Sequence, residues 1–120
     1  MTPTARSMKL LREEGRTVVR VEHYHYFARV RMDLWGFDLL WLKGHELGFV
    51  QVTTADNAAA RIKKLIELPT TMSIAFHNVV EVHSWAQRGP RGKRKLWTCQ
   101  RRRLVLQNGK VVECPLLTSS

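Results

Sequence analysis

Between Arg88 and Arg103 the chain carries eight of its 20 basic residues and no acid. Guanidinium and ammonium groups at this density repel one another, and they are the groups that contact phosphate oxygens. A cation run is often only a solvated surface, but one with no interspersed acid points to an anionic partner. The whole chain agrees. Its 120 residues hold 20 Lys and Arg against 10 Asp and Glu, a net charge of +10. Solubility needs much less. An excess this large is the footprint of nucleic acid binding, and less often of a membrane surface. The binding candidates are Arg88, Arg91, Lys93, Arg94 and Lys95, in a stretch broken by Gly89-Pro90 and Gly92, with Arg101 and Arg103 beyond it. Such contacts position a protein on a polyanion without reading sequence.

Other reactive side chains say less. Cys99 and Cys114 are the only cysteines and form no CxxC pair, which reads as two free thiols in a reducing cytoplasm. His23 and His25 share one strand face at a spacing that can bind metal, but no third ligand stands near them, so partly exposed strand histidines are the better reading. His83 is similarly ambiguous. Trp35, Trp41, Trp85 and Trp97 read as packing residues, with base stacking the lesser alternative.

The elements that must position these groups follow from pattern. Hydrophobic residues make up 44% and charged residues 25%, the composition of one globular domain rather than a disordered chain. No apolar run approaches the ~20 residues of a membrane span, and the polar start does not read as a secretory signal. Thr4 to Glu14 is expected to be a helix, with Thr4 or Ser7 as N-cap and Gly15 as its stop. Thr17 to Tyr26 reads as a strand. Phe37–Lys43 and Glu46–Thr53 form a hairpin around Gly44-His45, a type II′ signature. That turn puts Asp38 directly opposite Gln51, on one face with Thr53, at the polar end of a hairpin apolar on both faces. Asp56 to Leu68 is the strongest helix, burying Ala58, Ile62, Leu65 and Ile66, with Arg61 and Lys64 on one flank and Lys63 on the other. Thr70 to His77 reads as irregular, and Asn78–Trp85 and Leu96–Leu106 as strands. The expected fold is α/β or α+β, a mixed sheet of four or five strands flanked by helices. The domain spans 1–107, and 108–120 forms a C-terminal turn and tail, with the turn at Asn108-Gly109 and a short strand or tail after it.

The order α-β-β-β-α-β, with Asp38 opening the second strand, resembles the core of the PD-(D/E)XK nucleases, the restriction-endonuclease-like and Holliday-junction-resolvase-like proteins. More narrowly, the chain resembles small phage and prophage proteins of that superfamily. The matching pieces are Thr2-Pro3-Thr4-Ala5-Arg6-Ser7, Arg31 to Asp38, Gln51-Val52-Thr53, Ala60 to Lys64, Val82 to Trp85 and Gly89 to Trp97. The departures are specific. Gln51 stands where the superfamily has its second acid, and Thr53 where it has its lysine. A one-residue shortening after Gly36-Phe37 lets Asp33 share the role of Asp38.

The resemblance implies a metal-dependent phosphodiester hydrolase acting on DNA. Asp38, Gln51 and Glu22 would hold Mg²⁺ or Mn²⁺, Thr53 completes the catalytic set, and Lys63, Lys64 or Arg61 would replace the missing lysine. It also implies a cytoplasmic protein, in the host cell if phage-encoded, that works without a membrane and as a possible homodimer. Two alternatives stand beside it: a catalytically inactive nucleic-acid-binding module on the same fold, and a phage protein-interaction factor.

Overall fold

A computed structural model describes residues 1–21, 23–25, 30–32 and 35–115. Glu22, Asp33 and the chain after Pro115 lie outside the described residues. The fold is α+β. The elements run α1 (Pro3–Glu13), β1 (Thr17–Arg20), β2 (His23–His25), β3 (Val30–Met32), β4 (Leu39–Lys43), β5 (Glu46–Thr54), a 3₁₀ turn (Ala55–Asn57), α2 (Ala58–Glu67), α3 (Pro69–Ala75), β6 (Val79–Arg88), β7 (Leu96–Gln107) and β8 (Lys110–Pro115). Six strands form one mixed sheet in the order β1-β4-β5-β6-β7-β8, and β2 pairs with β3 separately. Neighbours in the large sheet are antiparallel except β5 and β6, which are parallel and joined through α2 and α3. Among the described residues no helix is long and apolar enough to cross a membrane.

Local chemistry accounts for most boundaries. Thr2, rather than Thr4 or Ser7, caps α1; its Oγ1 accepts the Ala5 N–H at 3.1 Å, and Pro3 opens the helix. Gly15 ends α1 as expected. At φ +86° it lets the Gly15 and Arg16 amides donate back to the Arg12 and Leu11 carbonyls at 3.0 and 3.1 Å. The predicted strand Thr17–Tyr26 is divided into β1 and β2, which belong to different sheets. β1 ends where β4 begins, with Arg20 opposite Leu39 and the Val21 amide donating to the Asp38 carbonyl.

Thr70–His77, expected to be irregular, contains α3. Adjacent threonines are weak helix formers, but Pro69 suits the first helical position and the helix buries Thr71 and Ile74. The tail is also structured: β8 pairs with β7 across Asn108-Gly109, both left-handed at φ +52° and +76°, as a type I′ turn requires. The sheet therefore has six strands rather than four or five, and the domain extends past residue 107 to Pro115.

The β4–β5 hairpin has the predicted register, Leu39 opposite Val50 and Lys43 opposite Glu46, and of the two turn residues only Gly44 has positive φ. Both faces are covered. Phe49, with Phe37, Val80, Val82 and Leu104, packs under Ile62, Leu65 and Ile74 of α2 and α3. Leu39, Trp41 and Val50 pack under Leu11 of α1 with Val18. Trp41 lies across Gly48, where a Cβ would sit 2.0 Å from the indole, and the Arg16 guanidinium covers the ring at 4.5 Å. Gly48→Ala is expected to lower stability by about 1–3 kcal/mol by displacing Trp41. Urea unfolding followed by tryptophan fluorescence measures it, and an unchanged midpoint would show that the indole does not need this space.

Candidate active site and nucleic-acid interface

Strand directions bring the polar residues to one end of the sheet. Asp38 precedes β4, Gln51 and Thr53 lie toward the end of β5, Arg20 ends β1, and the parallel partner β6 runs on to Arg88 at the same end. Asp38, Gln51 and Thr53 are all buried. The Asp38 amide donates to the Val50 carbonyl at 2.8 Å, which continues the hairpin ladder one step past β4. Its Oδ2 accepts the Val52 amide at 2.8 Å and Gln51 Nε2 at 3.0 Å. The predicted Asp38–Gln51 pair is therefore present as a direct hydrogen bond.

These residues floor a cleft of about 460 Å³ whose walls include Thr2, Pro3 and Thr4 at the start of α1, Arg20, Thr54, Asn57 and Arg61. Asp38 is the sole acid among the described residues lining it. Arg20 and Arg61 are exposed on the rim, and the α1 N-terminus adds the positive end of a helix dipole. The cleft thus attracts anions toward one buried carboxylate. Of the three candidate cations on α2, Arg61 reaches the cleft, while Lys63 and Lys64 are exposed on the helix and do not line it. Sequence reasoning missed Arg20, Thr2, Thr4 and Asn57 as cleft residues. The Thr2–Ser7 match was the available signal for the threonines; nothing in the local pattern marked Arg20.

The donors lining the cleft suit a hard divalent cation in kind. They are the Asp38 carboxylate, the Gln51 amide oxygen after a flip of its amide, and the Thr53 hydroxyl. The number is low. One carboxylate fits an ion that keeps most of its waters, and the described residues contain no group of three or more His, Cys, Asp and Glu side chains able to hold a metal. The side chains of His23 and His25 and the predicted third ligand Glu22 are not among those described.

The basic stretch divides. Arg88, Arg91, Lys93, Arg94 and Lys95 are exposed in and around the β6–β7 connection. The arginines of β7 meet acids from other elements; Arg101, enclosed by two of them, leaves the predicted phosphate-binding set, while Arg103 stays partly exposed. Arg101 is buried, bonded to Glu14 Oε2 at 2.6 Å and Glu81 Oε2 at 3.2 Å. Arg102 pairs with Glu113, and Arg103 reaches Glu81 Oε1 at 3.5 Å. The sequence run contained no acid because its partners lie on α1, β6 and β8.

Behind α1 this pairing forms a sealed chain. Trp85 Nε1 donates to Ser7 Oγ at 2.8 Å, Ser7 meets His83 Nδ1 at 2.9 Å, and His83 Nε2 meets Glu81 Oε2 at 3.0 Å. The Ser-His-Glu order resembles a hydrolytic triad, but all three residues are fully buried, so no substrate reaches the hydroxyl. Burial alone would raise the Glu81 pKa. The hydrogen bond and charge of His83, with Arg101, outweigh it and hold Glu81 down at about 2. Burial lowers the His83 pKa against the opposing pull of Glu81. Burial also pushes the Cys99 thiol up to about 12, which removes it as a nucleophile.

No protein-family model, curated protein or solved structure matches this chain.

Two outcomes follow. Both Glu81 and His83 have folded-state pKa values below their ordinary ones, so the unfolded chain binds more protons and stability falls as pH falls. The His83 share starts to go below its ordinary value of 6.5; the Glu81 share goes between 4.5 and about 2. Denaturant midpoints measured across this range should drop toward acid, and below pH 4.5 less steeply in Glu81→Gln. In the cleft, Gln51→Glu sets a second carboxylate against Asp38. Without divalent ions it should melt roughly 5 °C lower, with Mn²⁺ restoring the loss. A melting curve indifferent to Mn²⁺ would count against a cation site there.

Proposed function

We propose that the protein binds DNA and hydrolyses phosphodiester bonds in a reaction dependent on Mg²⁺ or Mn²⁺, with Asp38 as the central group. The observation carrying this reading is the buried Asp38–Gln51 pair at 3.0 Å on the floor of a cleft rimmed by Arg20 and Arg61. The resemblance to PD-(D/E)XK nucleases draws support from the order α1, β1, β4, β5, α2, β6 and the parallel β5–β6 pair, with Asp38 opening one strand and Gln51 to Thr53 closing the next. Each residue has a stated task. Arg20, Arg61 and the α1 N-terminus draw a phosphate toward the floor. Asp38 supplies the negative charge that holds a cation, and the Val52 amide fixes its carboxylate in place. Gln51 and Thr53 offer neutral oxygens beside it. A divalent cation bound there supplies polarisation of the phosphate and a more acidic water. Arg61 is the cleft cation available to stabilise charge on the phosphoryl oxygens. The exposed cations from Arg88 to Lys95, at the same end of the sheet, extend the path of the nucleic acid. In this reading the protein works in the cytoplasm, and a homodimer would allow both strands of a duplex to be cut.

A specific observation favours a second reading. The cleft holds a single acid and no lysine among the described residues, and Gln51 already donates its amide to Asp38. The second reading is a binding module of the same fold without cleavage. Incubation with plasmid, four-way junction and single-stranded DNA in Mn²⁺ separates the two. The first expects cleavage that falls by at least ~100-fold in Asp38→Asn. Tight, salt-sensitive binding with no cleavage would leave the binding module. Affinity independent of salt would remove both.

A further inference from the structure

We propose that Trp97 and Arg6 form a stacking site for an unpaired nucleotide, so that the ligand includes a single-stranded segment of nucleic acid. This rests on the nucleic-acid-binding part of the proposed function and not on cleavage. Two of the other tryptophans, Trp41 and Trp85, are buried in the core, whereas Trp97, the second residue of β7, is only partly covered. The Arg6 guanidinium lies over its ring at 4.6 Å. Beside this pair a groove of about 500 Å³ is lined by Arg6, Gln87, Arg94, Lys95, Leu96 and Trp97. That volume falls within the range of small-ligand sites. Leu96 is 57% exposed there, and three cations line the groove with no acid among the described residues.

An indole and an exposed leucine next to three cations are matched by a ligand that is flat and apolar in one part and anionic in the next. A nucleotide has that form: its base stacks on the Trp97–Arg6 pair and its phosphate meets Arg94 or Lys95. A duplex keeps its base faces covered, so the groove selects an unpaired strand. Its position suits the rest of the molecule. α1 presents Thr2, Pro3 and Thr4 to the cleft and, one turn on, Arg6 to the groove. A strand leaving the cleft across the start of α1 arrives at Trp97.

The test titrates the protein in chelator, which isolates binding from cleavage. The ligands are an oligothymidylate, an oligouridylate, a duplex of the same length and heparin. Single strands should quench tryptophan fluorescence. Trp97→Leu should weaken their binding about 5- to 100-fold while leaving duplex and heparin affinity within about 2-fold, and Trp97→Tyr should restore it. The thymidylate and uridylate arms tell DNA from RNA. Ultraviolet crosslinking of the unaltered protein to an iodouridine-substituted strand should map to Trp97, which keeps the test open if Trp97→Leu fails to fold. Equal losses for all ligands, an unaffected single-strand affinity, or crosslinks that map elsewhere would overturn the stacking site and leave nucleic-acid binding standing. Binding to none of the four ligands, or to heparin alone, would remove both.

Discussion

The site depends on the register of one hairpin. Side chains alternate across a strand, so a slip of one residue between β4 and β5 would turn Asp38 away from Gln51. In most half-buried hairpins the contrast between an apolar and a polar face prevents such a slip. Here both faces are apolar, because α1 covers one and α2 with α3 cover the other. Register must come from elsewhere. Gly44 restricts the turn, and Gly48 opposite Trp41 leaves the one space on that strand into which the indole fits. A packing detail on the α1 side of the sheet therefore fixes the geometry of a carboxylate on the other side.

Charge is the second organising feature. A net charge of +10 invites the view of a uniformly basic surface, but the fold sorts its cations. Arg101 and Arg103 are drawn toward Glu81, and Arg101 also holds Glu14 at the end of α1. Glu81 is fully buried, and a buried charge is tolerated only when paired and hydrogen-bonded. These arginines therefore tie α1 to β6 and β7. Ser7, bonded to His83 and Trp85, holds the other half of α1, whose first turn supplies one wall of the cleft and one side of the Trp97 groove. Of the cations left exposed, those from Arg88 to Lys95 with Arg20 and Arg61 gather at the end of the sheet where Asp38 lies, whereas Lys43 and Lys110 flank turns at the other end. Glu14, Glu81 and Glu113 thus engage the arginines on both faces of β7.

Among its described residues the cleft combines one acid with two arginines. A site with more carboxylates would hold a divalent ion more firmly, whereas one carboxylate among arginines and a helix N-terminus leaves a field that favours anions. Asp38, with Gln51 and Thr53 beside it, would be the residue to hold a divalent cation there.

By itself the sequence determined the elements that rest on local chemistry. The Gly15 stop, the Gly44-His45 hairpin with Asp38 opposite Gln51, the helix ended by Pro69 and the turn at Asn108-Gly109 were all legible, because caps, turns and strand alternation act over a few residues. The α+β class followed from their order. Tertiary structure decided the rest. It made α3 from a weak helical segment by burying Ile74, added β8 to the sheet, and divided the first long strand between two sheets. It buried Arg101 between glutamates distant in sequence and turned Arg103, still partly exposed, toward one of them. It also brought Arg20 and Arg61 to the cleft while leaving Lys63 and Lys64 outside it. Ion pairs and clefts join residues tens of positions apart, and no local pattern of residue types records which of them will meet.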